Sequence, residues 1–212
     1  MIINHKTLNN SFWSYLFVIV IGLVAGIITR LTDFFPNGDL WSFSSIATLF
    51  GFWIVTTTLI IYFSSSNINA AINSFLYLFA MSFSFYISEY ILGVFFPQFD
   101  NGGFRWNLFQ LYSILSLFCG VVGFVLYFWN RDGKIGSILY ALPIGALLAE
   151  TAGVFVCLYN NKTFLFQFVF NALSVILLGL WFYKKSKYKL IYVATCLAVC
   201  LAGYFFFYRP FL

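Results

Sequence analysis

The chain has 212 residues, of which 62% are apolar, 24% aromatic and only 8% charged, with a formal net charge of +5. A water-soluble domain carries about 25% charged residues, so a soluble globular fold is excluded and the chain belongs in a membrane. Its basic residues are spread thinly at the ends of apolar runs. No polar region is broad enough to face a nucleic acid, and the charge orients the chain in the bilayer instead.

Seven apolar segments follow one another, at approximately 11–29, 41–63, 70–96, 106–129, 137–159, 163–183 and 190–208. Each has about the 17–25 residues that a spanning helix requires. The expected fold is therefore an all-α integral membrane bundle of about seven helices, a single transmembrane domain over 1–212. The first segment, SFWSYLFVIVIGLVAGIIT, follows Lys6. It is longer than a signal-peptide core and no small-x-small cleavage site follows it, so it reads as an uncleaved helix. Gly22 and Gly26 give it a GxxxG face, suited to internal packing or to contact with a membrane protein partner. Arg30 and Asp33 close this helix. The second segment, 41–63, reads as one spanning helix.

The third segment carries Ser82, Tyr86, Glu89 and Gly93 at spacings of three and four, so they share one stripe. Arg105 precedes the fourth, which shows Ser113, Ser116, Gly120 and Gly123 on a face, with Gln110 nearby. The fifth holds Pro143, Ala146, Glu150, Gly153 and Cys157 in one stripe; its small residues admit a close neighbour, and Pro143 frees a backbone carbonyl. A very short turn, NNK, forces the fifth and sixth segments into an antiparallel hairpin. The sixth aligns Gln167, Asn171 and Ser174, a polar stripe of the kind that joins helices by hydrogen bonds. Between the sixth and seventh lies the basic loop KKSKYK, an interfacial segment that can also meet anionic lipid head groups.

Orientation follows from the basic residues. Lys6, Arg131, Lys134, Lys184, Lys185, Lys187 and Lys189 fall on the N-terminal side, against Arg30, Arg105, Lys162 and Arg209 on the other. The positive-inside rule then puts the N-terminus in the cytoplasm. The abundance of Phe (30 residues) beside Asn, Ile, Lys and Tyr is what AT-rich coding produces, so the expected location is a bacterial plasma membrane.

The two intramembrane acids, Glu89 and Glu150, are the main functional signal. A charge at the bilayer centre costs roughly 2.5–3.5 kcal/mol on insertion scales, so both should point inward. With the third and fifth helices running outward, both fall in the outer half at similar depth. They would line a pocket for a small solute or cation with Tyr86 and Asn171, and Arg30 and Arg105 would stand at its mouth. The structural alternative is a neutral glutamic acid that serves only as a hydrogen-bond donor between helices.

Several chemistries are absent. His5 is the only histidine and lies outside the apolar runs, so neither an HExxH zinc site nor a Ser–His pair is available. No Asp lies mid-helix for a paired-aspartate protease, the last segment has no Lys for a Schiff base, and no Walker A or GxGxxG motif occurs. Cys119, Cys157, Cys196 and Cys200 lie within apolar runs, which fits packing rather than a disulfide framework or zinc site. No cofactor or metal is implied. Glutamate acid–base chemistry has no nucleophile to complement it, so an enzyme, for example one acting on lipid, is the weakest of the readings.

GLVAGIITRLTDFFP running into WSFSSIATLFGFW, and GKIGSILYALPIGALLAE later in the chain, resemble an uncharacterised family of small bacterial polytopic membrane proteins, over roughly 16–206. That resemblance implies a helix layout and no activity. In its small, apolar make-up and its Gly22/Gly26 first helix the chain is also similar to the substrate-binding membrane subunits of energy-coupling-factor transporters. Those usually have six helices and a pocket in the outer half, which implies solute binding. The competing expectation is a non-catalytic membrane subunit, an assembly, partner-binding or immunity factor, whose polar residues are structural.

Overall fold

The computed structural model describes residues 8–35, 38–96 and 102–209. Lys6 and His5, and the turn residues at 97–101, lie outside the described residues. Among the described residues eight α-helices form: α1 (Phe12–Thr32), α2 (Ser45–Thr48), α3 (Gly51–Phe63), α4 (Asn67–Phe95), α5 (Trp106–Leu126), α6 (Lys134–Asn161), α7 (Leu165–Lys185) and α8 (Lys189–Gly203). A 3-10 turn, Tyr127–Asn130, extends α5, and a π turn, Tyr204–Tyr208, extends α8. Among the described residues there is no β-strand, only an isolated bridge between Leu8 and Ser64.

Six of these helices are long and apolar enough to cross a membrane: α1, α4, α5 with its 3-10 turn, α6, α7, and α8 with its π turn. Their large apolar side chains are widely exposed; on α1, Val20, Val24, Ile28 and Leu31 all face outward. Water would not tolerate that surface, and lipid does. The chain is an integral, multi-pass membrane protein.

The second segment departs from expectation. Instead of one helix over 41–63 it forms the short α2, a break at Leu49–Phe50, and the 13-residue α3. At 1.5 Å per residue α3 is about 20 Å long, short of the ~30 Å hydrocarbon core. Leu49 is extended, with φ −100° and ψ 158°, which ends α2.

The residues gather into two compact units. The first comprises residues 1–32 and 59–127, the second 33–58 and 128–212, so α3 is divided between them after Thr58.

In the first unit α4 packs against both α1 and α5. Glycine sets the α1–α4 distance. A Cβ on Gly22 would stand 2.4 Å from the Tyr77 carbonyl oxygen, and one on Gly26 would stand 2.1 Å from that of Met81. The GxxxG face is thus buried inside the chain. The partner contact weighed for Gly22 and Gly26 gives way to internal packing, because α4 already occupies that face. One end of the unit is tied by polar side chains. Asn73 donates to Ser64 Oγ (3.0 Å), Asn69 to Ser65 Oγ (2.7 Å), and Tyr127 Oη to the Ser65 carbonyl (2.6 Å). Leu8 N–H bonds the Phe63 carbonyl (3.1 Å), so the end of α3 lies beside the start of α1.

In the second unit α6 packs against both α7 and α8 and is the most enclosed helix, with 50% of its apolar window buried. Val199 fills the space over Gly145, Ala149 packs at Gly203, and the Tyr208 ring lies on Gly153. Cys196 Sγ reaches the Ala141 carbonyl at 3.6 Å, a packing contact between α8 and α6. The expected α6–α7 hairpin forms: Lys162 takes the left-handed conformation (φ 56°) and bonds the Leu158 carbonyl, and α7 begins three residues later. At the opposite end of α6, Trp129 stacks on Tyr140 at 5.3 Å, with Phe182 against both rings.

Candidate functional site

Each unit carries one acid on its central helix. In the first unit Glu89 sits on α4, six residues before Phe95 (95 − 89), or about 9 Å from the helix end. Arg105 Nε approaches its carboxylate at 3.3 Å and Arg30 Nη1 at 4.0 Å. Arg30 ends α1 and Arg105 begins α5, so one buried carboxylate gathers the ends of all three helices. Arg30 also lies 5.6 Å over the Phe85 ring. Tyr86, one turn before Glu89, is buried in an aromatic cluster with Phe104, Phe109 and Tyr112. Both arginines expected at a pocket mouth, Arg30 and Arg105, lie against the Glu89 carboxylate.

Glu150 belongs to the second unit and is built differently. It lies eleven residues before the end of α6 (161 − 150), about 16 Å from that end, and is fully buried. The even spacing of the two acids from their helix ends, expected from the sequence, does not hold, because α6 runs two residues further than its apolar run and α4 ends a residue earlier. Glu150 Oε1 accepts from the Gly51 backbone N–H at 2.7 Å, Gln167 Nε2 at 3.2 Å and Asn171 Nδ2 at 3.3 Å. Its Oε2 accepts from the Tyr208 hydroxyl at 3.0 Å. Gln167 Nε2 also donates to Asn171 Oδ1 at 3.0 Å. The polar stripe on α7 therefore does join helices, and the acid is what it joins.

The Gly51 bond explains the broken second segment. Gly51 opens α3, where a helix leaves its first N–H groups without partners inside the helix. In lipid no water can satisfy them, and the Glu150 carboxylate does so from another helix. The partial positive charge of a helix N-terminus favours an anion at this point. Glycine leaves room for these partners: a Cβ on residue 51 would lie 2.1 Å from Asn171 Oδ1 and 2.6 Å from Gln167 Nε2, so both side chains would have to shift.

Two properties mark this cluster chemically. Every partner of Glu150 is a hydrogen-bond donor, and among the described residues no arginine or lysine pairs with it. Within the same buried cluster Gln167 Oε1 has no hydrogen-bond partner. The site thus presents a carboxylate surrounded by hydrogen-bond donors, with an amide oxygen beside it. Among the described residues no three or more His, Cys, Asp or Glu converge as a metal cluster.

Of the residues singled out from the sequence, Glu89, Tyr86, Arg30 and Arg105 fall in the first unit, and Glu150 and Asn171 in the second. Gly51 and Tyr208 complete the Glu150 cluster and were not among them, and Gln167 was expected there only as part of a helix-joining polar stripe. A glycine within an apolar run was the available sign at position 51. Ser113 and Ser116 bond carbonyls of their own helix, at Phe109 and Tyr112, and join nothing.

The fold and the cluster define a class: a polytopic α-helical membrane protein with a helix that starts at a buried carboxylate. Comparison with protein-family models, curated proteins and solved structures yields no match, so the resemblances drawn from the sequence stand on its own residues alone.

Proposed function

We propose that the protein binds, and in doing so carries across the membrane, a proton or small cation at Glu150. The observation that supports this most is a fully buried carboxylate that meets no cationic side chain among the described residues, held at the first residue of an interrupted helix. A buried charge without a counter-charge is costly, and a bound cation or proton supplies what the cluster lacks. Ionisable groups inside membranes mark ion and proton pathways by default. Helices that break within the bundle, with their termini at the site, are how secondary transporters form binding sites. The Glu89 group carries its own arginines, and we assign it to holding α1, α4 and α5 together. We read seven crossings in this arrangement, the second of them broken between α2 and α3. The basic loop after α7 supports an N-terminus on the inner side.

A second reading has one observation in its favour. Four donors already occupy both oxygens of Glu150. On that reading the acid only caps α3, and the protein is a non-catalytic membrane subunit. Thermal unfolding of the detergent-solubilised protein separates the two. Titrated with sodium, potassium, methylammonium and protons, wild type should gain stability with at least one of them, and Glu150→Gln should fold but not respond. If no titrant shifts wild type, or the variant responds equally, the cap is the whole role of Glu150.

A further inference from the structure

The second unit holds another feature that the Glu150 reading does not use. Helices α7 and α8 are joined by only three residues, 186–188, and both pack on α6. They pack little on each other. Between them lies an open groove of about 350 Å³ with an almost wholly apolar lining, floored by Ile144 and Leu148 and walled by Ile176, Gly179, Val193 and Leu197. Gly179 helps to leave it open: a Cβ there would touch only Ile144 at 3.6 Å and Tyr192 Oη at 4.0 Å. Along α7 the lining runs from Val175 to Tyr183, eight residues or about 12 Å.

One end of this groove is charged. Tyr183 and Tyr192 stand there edge to face at 5.9 Å, and Tyr192 Oη donates to the Gly179 carbonyl at 3.0 Å. The end of α7, the connection and the first residue of α8 carry Lys184, Lys185, Lys187 and Lys189 within six residues and no acid. Lys189 Nζ is held over the Tyr183 ring at 4.7 Å and donates to the Lys184 carbonyl at 3.0 Å, which fixes one ammonium at the groove's end. Tyrosines at a membrane–water boundary, lysines beyond them and hydrocarbon below are the chemical image of a phospholipid.

We infer that the α7–α8 groove is a binding site for an anionic phospholipid. One acyl chain lies between Gly179 and Leu197, and the phosphate lies among Lys184, Lys187 and Lys189. A soluble anion would have no use for the groove, and a transmembrane helix from another chain would have none for the lysines. The bound lipid would brace α7, and with it Gln167 and Asn171, yet the site exists whether or not Glu150 binds a cation.

The test is native mass spectrometry of the full chain in mild detergent, with phosphatidylglycerol and phosphatidylcholine of identical acyl chains as probes. Wild type should retain phosphatidylglycerol in preference. Each lysine near an anionic head group is worth roughly a fivefold change in affinity, so Lys184→Gln with Lys187→Gln should cut that preference about 25-fold. Gly179→Leu should reduce retention of both lipids, and Leu197→Trp fills the same groove from its exposed wall as an independent check. Equal retention of the two lipids by wild type would overturn the inference. So would a preference that survives loss of both lysines, retention unaffected by filling the groove, competition by glycerol phosphate as effective as that by phosphatidylglycerol, or a second protein chain seated there in place of lipid.

Discussion

Replacing Glu150 by leucine removes four hydrogen bonds at once, and the structure allows the cost to be worked out. Side-chain hydrogen bonds inside membrane proteins average ~0.6 kcal/mol each, so four contribute about 2.4 kcal/mol. Orphaning the Gly51 N–H at the start of α3 adds about 1–3 kcal/mol, since neither water nor a turn of helix can take it up. The total for Glu150→Leu is about 3–5 kcal/mol, or roughly 10 °C in unfolding midpoint for a chain of this length. Glu150→Gln keeps an acceptor at Oε1 for the three donors grouped there. Its amide turns toward Tyr208, whose oxygen can accept, so the cost is about 1 kcal/mol. Thermal unfolding in detergent, followed by circular dichroism, measures both. A leucine variant within a degree or two of wild type would refute the assignment of Glu150 as the cap of α3. A glutamine variant as unstable as leucine would show that charge, rather than an acceptor atom, holds the cluster.

Gly51→Ala forces Asn171 to turn away from Glu150, because the new Cβ lies 2.1 Å from its side-chain oxygen; a loss of about 1–3 kcal/mol is expected by the same assay. Gly26→Ala drives a methyl group into the Met81 carbonyl of α4 and should lower both stability and yield, while Gly38→Ala, which has nothing within 4 Å, should match wild type. Glu89→Gln takes the carboxylate from two arginines, one of them buried, and should cost about 3 kcal/mol. Arg105→Gln, whose side chain is 40% exposed, should cost less than ~1 kcal/mol. Equal losses for these two would show that the buried pair is not what fixes α1 to α4.

Six spanning helices were legible because length, apolar composition and turn residues act locally. The basic KKSKYK loop and the NNK turn marked helix ends with no knowledge of the fold. The break in the second segment was not legible. Residues 41–63 are as apolar as their neighbours, and what permits the break is a carboxylate 99 positions away from Gly51. The polar stripes showed which faces turn inward but not what they meet. Gln167 and Asn171 meet Glu150, whereas Ser113 and Ser116 fold back on their own helix. Glu89 and Glu150 looked alike in sequence, each a single acid within an apolar segment. They differ in structure because Arg30 and Arg105 stand at the ends of the helices beside α4, while among the described residues amides and a tyrosine meet Glu150 on α6.

The carboxyl group of Glu150 can be watched directly by infrared difference spectroscopy of the reconstituted protein as sodium, potassium, methylammonium or protons are added. The account predicts a carboxyl band that changes with one of these and is missing from Glu150→Gln. A spectrum in which no carboxyl band moves, or in which the same change persists in Glu150→Gln, would contradict it.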